Sequence, residues 1–517
     1  MNATICNALD TSRQPDVQPP DPTEQLLAEP LRIAVPGIGA DSPFARQLAQ
    51  AAEGIADLIP AGGKPEGGWL WRRSVRGTAL DAFGGKASAG PAGPAEAGEP
   101  ELLLDLHGCA PSGPMPVWRI TDGFGNALMR PFGCLAGPDR VISLYLTESI
   151  GGAAESRVLA QAHITSRRQY RALLDAIGRA AIWLVARALQ TQPSQPAAMA
   201  FPVRLPSPGR FVAGRLSSFR AWLRDRAGSD IWAIGRVDGP AQRFLNSQTV
   251  SPDSWLEIPV QEGFVADPFP CPTHPGAILY ERYSHRTGRG TLEALVPAAG
   301  TGGVAQRLDL PVRGHLSYPF PYVEDDTAFC LPEMAGENRQ ILYVLEPDGS
   351  VREHAIVAED VAMADPTLFR YAGLYWIAYN DASLGLHENL CLRFADRLEG
   401  PWTAHPLNPV KIDVRCSRPG GTPFRVGETL FRPAQDCSRS YGCALTINRV
   451  VACAPDRYDE IVVARLMPDP NGRYPHGMHT FSVTPDGILL DGKRIAFSPG
   501  IMLKSLRRRL RRAWRRP

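Results

Sequence analysis

Residues 364–381, ADPTLFRYAGLYWIAYND, decide the fold. A small residue, an acid and a proline open an apolar run. Ala372 and Gly373 then make a turn, and a second run of aromatic and aliphatic residues ends in Asn380 and Asp381. This is the pattern of two short strands joined by a tight turn. The same design recurs as ADPFPCPTHPGAILYERYSH from Ala266, SYPFPYVEDDTAFCLPEM from Ser317, SRPGGTPFRVGETLFRPAQD from Ser417 and HTFSVTPDGILLDG from His479. Their starts lie roughly 50 to 60 residues apart, the four-strand period of a propeller blade. Five repeats predict an all-β five-bladed β-propeller. The strand-like run DIWAIGRVDG at 230–239 is expected to complete the last blade, which places the propeller at 229–497.

Upstream the pattern changes. LRIAVPGIG is a short run ending in glycines, SPFARQLAQAAEGIADLI reads as an amphipathic helix opened by Ser42 and Pro43, and ELLLDLHG is a second buried strand. PVWRIT and VISLYLTES follow as strands, and SRRQYRALLDAIGRAAIWLVARAL keeps helical spacing. Strands alternating with helices predict an α/β domain over 31–190. Residues 1–30, polar and proline-rich, read as a disordered leader, and 191–228 as a linker with a short helix.

Composition narrows the classes of function. Glycine and proline contribute 49 residues each of 517, against average shares of about 7% and 5%, which suits many turns and short strands. The net charge of +2 hides an asymmetry, because the last fourteen residues, KSLRRRLRRAWRRP, carry eight positive charges and no negative ones. The remaining body holds 47 basic against 53 acidic groups, so no specific nucleic-acid binding is expected of it. The ten cysteines form no CxxC pair, the N-terminus lacks the features of a signal peptide, and AAIWLVARAL at 180–189 is too short to span a bilayer. A cytoplasmic protein is expected.

Propeller geometry gathers chemistry at one face, because the opening of each first strand and the end of each second strand lie together. Asp267, Tyr318, Asp365 and Arg418 come from the openings; Glu281, Glu333, Asn380, Asp381, Gln435 and Asp436 come from the returns. Carboxylates, amides and a guanidinium suit the hydroxyls of a carbohydrate. Trp376, Tyr379, Tyr283 and Tyr441 are candidate stacking surfaces, and His285 and His479 complete the candidate substrate-binding set. Glycosidic cleavage needs one protonated and one ionised carboxyl group. Glu333, set in LPEM between apolar neighbours, is the candidate acid; Asp267 is the base or nucleophile, and Asp365 holds or tunes the pair. The structural reading is that Asp267 and Asp365, both before proline, only start strands.

The segments FVADPFP, YERYSHRTGRG, HLSYPF, LPEM, ADPTLF, SRPGGTPF and RPAQDCSRSYG resemble the N-terminal domain family of plant glucosamine inositolphosphorylceramide transferase and its bacterial relatives. That domain is similar to the five-bladed propellers of arabinanase-type and invertase-type glycosidases. The resemblance implies a role in carbohydrate or glycolipid metabolism; the sugar-transferring module of the plant proteins is a separate C-terminal domain outside it. The order Asp267, Glu333, Asp365 departs from the Asp, Asp, Glu order usual in propeller glycosidases. The α/β segment more faintly resembles formyltransferase-like domains, through DLHGCAPSG and VWRITDGFGN, but the Asn, His and Asp arrangement of folate-dependent formyltransferases is missing. His107 and Asp122 are its only remnants and are expected to be structural.

Weaker signals remain. His476 and His479 flank Gly477 and Met478 without a third ligand close in sequence, Cys416, Cys437 and Cys443 read as buried apolar side chains, and Gly37 and Gly39 supply half of a dinucleotide fingerprint. No metal or cofactor is expected. Leu503, Leu506, Leu510 and Trp514 recur at helical spacing among basic residues, so 498–517 reads as a basic amphipathic tail, with 501–517 a partner for an anionic membrane surface. The expected functions are a glycosidase-like or glycosyl-transferring propeller acting on a polysaccharide or glycolipid precursor, a non-catalytic carbohydrate-binding propeller supporting another enzyme, or a formyltransferase-like α/β enzyme with the propeller as specificity module.

Overall fold

The computed structural model describes residues 31–36, 42–53, 55–61, 101–106, 114–122, 141–149, 156–165, 170–190, 198–199, 228–298, 303–359 and 361–497. The leader, most of the linker, Gly37, Gly39, His107 and the basic tail lie outside the described residues.

The first unit is a mixed seven-stranded sheet in the order β2-β1-β3-β4-β5-β6-β7. β1 (Leu31–Pro36), β2 (Ala56–Ala61), β3 (Leu102–Asp105) and β4 (Val117–Thr121) run parallel. β5 (Val141–Ser149), β6 (Ser156–Thr165) and β7 (Ala198–Met199) are antiparallel additions. Helix α1 (Pro43–Ala51) starts as expected, with Ser42 Oγ accepting the Ala45 N–H at 3.1 Å. It ends sooner than the periodicity predicts: the chain leaves the helix at Ala52, and ADLIPA becomes β2, where Leu58 pairs with Ile33. Burying that apolar run against β1 outweighs its helical spacing. Helix α2 (Tyr170–Gln190) packs Leu173, Leu174, Ile177, Ala181, Leu184 and Val185 against the sheet. No helix among the described residues is long and apolar enough to cross a membrane.

Five sheets build the propeller. Blade I runs outward through Gly263–Pro270, Ile278–Ser284, Arg289–Pro297 and Gly303–Arg307. Blade II holds Ser317–Glu324, Thr327–Glu333, Arg339–Leu345 and Val351–Glu359. Blade III holds Met363–Tyr371, Leu374–Asp381, Asn389–Ala395 and Thr403–Ala404. Blade IV holds Phe424–Val426, Thr429–Asp436, Ala444–Ala454 and Arg457–Pro468. Blade V joins both ends: Phe481–Val483 and Gly487–Phe497 come from the C-terminal side, while Gly228–Asp238 and Ser254–Trp255 come from before blade I. Gly228–Asp238 pairs with Gly487–Phe497 along its whole length, so the ring closes as the run at 230–239 predicts.

One device repeats on the inner strands. The ladder slips between Ala266 and Phe269, between Ser317 and Phe320 and between Ala364 and Thr367. At each slip one residue before a proline adopts the left-handed region: Asp267 at φ 51°, Tyr318 at 47° and Asp365 at 49°. A bulge of this kind turns a side chain out of the ladder and re-aims it.

Candidate carbohydrate site at the propeller mouth

The slips create a ring of paired polar residues. Asp267, Tyr318, Asp365, Arg418 and His479 occupy the openings of blades I to V. The returning strands set Glu281 beside Ala266, Glu333 beside Ser317 and Asn380 beside Ala364. In blade IV the Gln435 N–H donates to Arg418 O at 2.9 Å, and in blade V Asp491 Oδ1 accepts the His479 N–H at 2.8 Å. Nine of these ten residues are buried, and the tenth, Glu333, leaves only 12% of its side chain exposed.

Carboxylates hold the left-handed residues across blade boundaries. Asp491 Oδ2 accepts the Asp267 N–H at 3.2 Å, Asp267 Oδ2 accepts the Tyr318 N–H at 3.2 Å, and Glu333 Oε2 accepts the Asp365 N–H at 3.0 Å. Each bulge amide therefore finds its acceptor on the preceding blade, which satisfies a backbone group that the slip removes from the ladder. Tyr318 Oη reaches across the ring to the Gly421 N–H at 2.7 Å. Gly421, at φ +126°, has no room for a Cβ, which would lie 2.0 Å from Phe481 O.

Two cationic clusters divide the ring. Arg418 donates from Nε to Asp365 Oδ2 at 2.5 Å, and its Nη2 lies 3.6 Å from Glu333 Oε2. Its Nη1 donates to Leu386 O at 2.8 Å, and the Tyr441 ring lies beneath the guanidinium at 5.1 Å. On the other side His479 Nδ1 meets Asp491 Oδ2 at 2.5 Å and its Nε2 lies 3.8 Å from Asp267 Oδ1. Thr480 Oγ1 also donates to Asp267 Oδ1, at 2.8 Å. Trp232 stacks on the His479 ring at 4.0 Å.

The protonation states separate accordingly. Burial, reinforced by Asp365, pushes the Glu333 carboxyl well above its ordinary range, and Arg418 only partly offsets this. Burial does the same to Glu281, with Asp267, Glu333, Asp365 and Asp491 adding like charge. Burial alone would raise Asp365 too, but the Arg418 guanidinium overrides it and holds that carboxyl low. Burial raises Asp267 against the pull of His479. His479 is raised despite its burial, because Asp491 and Asp267 favour the charged ring.

The structure thus brings Asp267, Glu333, Asp365, Glu281, Tyr318, Asn380, Arg418, Gln435 and His479 into one ring. Tyr441, half-buried, stands at its edge beside His387 at a ring distance of 5.3 Å. His285 lies with Phe264 and Tyr283 at ring distances of 5.9 and 5.6 Å on blade I. Asp436 is one residue past Gln435 and turns the other way, to Arg465 on the outer strand at 2.7 Å and to the Ser438 N–H. Asp381 caps the turn at Ser383. Trp376 and Tyr379 do not offer the stacking surfaces expected of them: both are buried in the packing between blades, on opposite faces of their strand. Asp122 directly follows β4.

Asp491, Thr480 and Trp232 belong to the site and were missed by sequence reasoning. Asp491 lies on the second strand of the last repeat as Glu281 and Glu333 lie on the second strands of theirs, so repeat register was the available signal. Asp267, His479 and Asp491 each offer a ligand atom within 4.8 Å of one another. His479 Nδ1 and Asp491 Oδ2 already pair and Asp267 Oδ1 already accepts from Thr480, so a cation would have to displace these contacts. The HxxH histidines separate, since His476 is exposed and accepts the Ile495 N–H while His479 is buried. Cys416, Cys437 and Cys443 are buried thiols; burial pushes the first two up to about 12.

Residues 248–477 match a known family. Its description is glucosamine inositolphosphorylceramide transferase 1, N-terminal, and the match lies wholly within the propeller. The protein named glucosamine inositolphosphorylceramide transferase 1 from Oryza sativa subsp. indica is 28% identical over 218 residues, covering 39% of this chain and 28% of the rice protein. The protein of that name from Arabidopsis thaliana is 27% identical over 156 residues, 29% of this chain and 20% of its own length. The chain therefore spans less than a third of these relatives. Among solved structures, a family 117 glycoside hydrolase from Zobellia galactanivorans aligns at 14% identity over 52% of this chain and 92% of its own, with a TM-score of 0.31. A thermostable family-43 glycoside hydrolase aligns at 14% identity over 39% and 73%, with a TM-score of 0.28.

Proposed function

We propose that the propeller mouth binds the glycosyl group of a polysaccharide or glycolipid precursor and cleaves or transfers it. The observation that carries this reading is the unequal placement of the Arg418 guanidinium between two buried carboxyl groups of one ring, 2.5 Å from Asp365 and 3.6 Å from Glu333. Asp365 is held ionised by Arg418, while Glu333, whose Oε2 accepts the Asp365 N–H, is pushed toward its protonated form. Glycosyl chemistry requires such a division. Glu333 serves as acid, Asp267 as base or nucleophile, and Asp365 as the ionised group that holds the pair. Asn380 Oδ1 is buried without a hydrogen-bond partner among the described residues, which leaves an acceptor in the ring for a sugar hydroxyl. Tyr441 supplies an aromatic face. The relatives' name joins an amino sugar to a phosphorylated inositol lipid, which supports a glycolipid as substrate.

The test is turnover of aryl glycosides and nucleotide sugars by the wild type and by Glu333→Gln. The amide keeps the shape but cannot deliver a proton, so turnover falls at least about 100-fold while ligand-induced thermal stabilisation remains. Full turnover by Glu333→Gln contradicts the assignment. A second reading, carbohydrate binding without turnover, is favoured by the engagement of both Asp365 and Glu333 with Arg418. It predicts stabilisation by a glycan with no product in either protein.

The basic segment 501–517 extends the proposal to the inner membrane surface, where such precursors would be met. Each basic residue near an anionic leaflet contributes about 1 kcal/mol. Full-length protein is expected to co-sediment with anionic vesicles in a salt-sensitive way, and protein ending at residue 500 is not; equal behaviour of the two removes the tail's role.

A further inference from the structure

The end of β6 is where the α/β sheet meets the propeller. His163 O accepts the Val414 N–H at 2.8 Å, and the Thr165 N–H donates to the buried Glu388 Oε1 at 2.9 Å. Nearby, Trp183 of α2 donates from Nε1 to Pro409 O at 2.7 Å, and Ile412 packs into the α/β core.

Both propeller segments that β6 grips lead to Arg418. Val414 lies in a turn closed by the Ser417 N–H on Asp413 O at 2.9 Å and by the Asp413 N–H on Ser417 Oγ at 2.9 Å; Arg418 follows at once. Glu388 ends the loop whose Leu386 O and His387 Nδ1 meet Arg418 Nη1 at 2.8 and 3.1 Å. Glu388 O accepts the Asp413 N–H at 2.7 Å, so loop and turn are also joined to each other. One strand of the α/β sheet thus fastens the backbone that carries Arg418 and the loop that orients its guanidinium.

We propose that the α/β sheet is a positioning element for the propeller site, acting through Glu388, which holds the loop 384–388 so that Arg418 stays on Asp365 and Glu333. Glu388 itself is a positioning residue: its carboxyl binds the Thr165 amide and is absent from the ring contacts. A guanidinium displaced from a buried carboxylate leaves a charge in a medium that solvates it poorly, so the carboxylate takes up a proton at higher pH. The groups facing Asp365 are Arg418, Gln435 and Tyr441 of blade IV, Glu333 and Tyr318 of blade II, and His479, Asp267 and Glu281 across the ring. Of these, Arg418 is reached from β6 through both its turn and its loop, whereas the end of the Gln435 strand is reached only through Val414 O, which accepts the Cys437 N–H at 2.9 Å.

The experiment is a carbon-13 NMR titration of aspartate-labelled full-length protein, with the Asp365 signal assigned by its loss in Asp365→Asn. Glu388→Ala removes the acceptor for the Thr165 amide, Thr165→Pro removes the donor, and Glu388→Gln keeps a carbonyl acceptor without the charge. The Asp365 midpoint is expected to rise by at least about one pH unit in the first two variants and to stay at the wild-type value in Glu388→Gln. Thermal unfolding monitors the fold, and Glu388→Ala carries the test alone if Thr165→Pro does not fold. An unchanged Asp365 midpoint in Glu388→Ala overturns the proposal, as does a shift in Glu388→Gln equal to that in Glu388→Ala. None of these readings depends on a sugar being bound or turned over.

Discussion

Asp365 carries three roles within one residue. Its backbone adopts φ 49° before a proline, its N–H rests on Glu333 Oε2, and its carboxylate takes Arg418 Nε and Gln435 Nε2 at 2.5 Å each. A left-handed residue other than glycine costs about 1–3 kcal/mol and persists only where its surroundings over-determine it. Here the carboxylate of the preceding blade does so. Removing the cation alone leaves Asp365 buried and uncompensated, so Arg418→Met is expected to lower stability by about 3–5 kcal/mol at pH 7. The sign with pH is set by the depressed Asp365 pKa: the pair's contribution is present above the ordinary carboxyl range and fades as Asp365 protonates. Denaturant unfolding at pH 7 and in mild acid checks both. The residues of this ring were legible where the repeat kept its proline, as at Asp267, Asp365 and Arg418. Asp491 was not, because the last repeat opens with HTF in place of an acid and proline. Trp376 and Tyr379 were misread because a propeller strand packs both its faces against neighbouring blades, so alternation does not mark an open side.

At the scale of elements, β6 does the most with the least sequence signal. Its run SRVLAQAHIT lacks a continuous apolar pattern, yet it lies between β5 and β7 and ends on the propeller. Alternation cannot reveal a strand whose end is buried by another unit. His163 sits at this junction with Nδ1 on Ser143 Oγ at 2.9 Å. Burial pushes its imidazole down to about 4; Asp413 opposes this, and Arg415 and Lys411 reinforce it. Because the folded value lies below the ordinary 6.5, the contribution of neutral His163 to stability is complete above pH 6.5 and is lost as pH falls toward 4. The full effect is on the order of 3 kcal/mol at most. Thermal midpoints recorded between pH 7 and pH 4 are expected to fall more steeply for the wild type than for His163→Gln.

Across the whole molecule, the inner-strand repeats made the five blades legible, because each blade repeats one hairpin and its turn. Closure was legible from the single strand left over before the first repeat, and Gly228–Asp238 now pairs with eleven residues of the C-terminal strand. The α/β sheet was legible only in outline, since its strands are short and long glycine- and proline-rich segments separate them. Its attachment to the Arg418 loop was invisible, because Thr165 and Glu388 stand 223 positions apart. At this scale the mouth of the propeller is proposed as a glycosyl site. The most direct measurement is a thermal-shift screen of free glycans, sugar nucleotides and glycolipid headgroups against the wild type and Tyr441→Ala, with Val462→Lys on the outer strand of blade IV as control. At least one glycosyl ligand is expected to raise the wild-type and Val462→Lys midpoints and to leave Tyr441→Ala unmoved. No shift with any glycosyl ligand, or a shift that survives intact in Tyr441→Ala, would contradict the account.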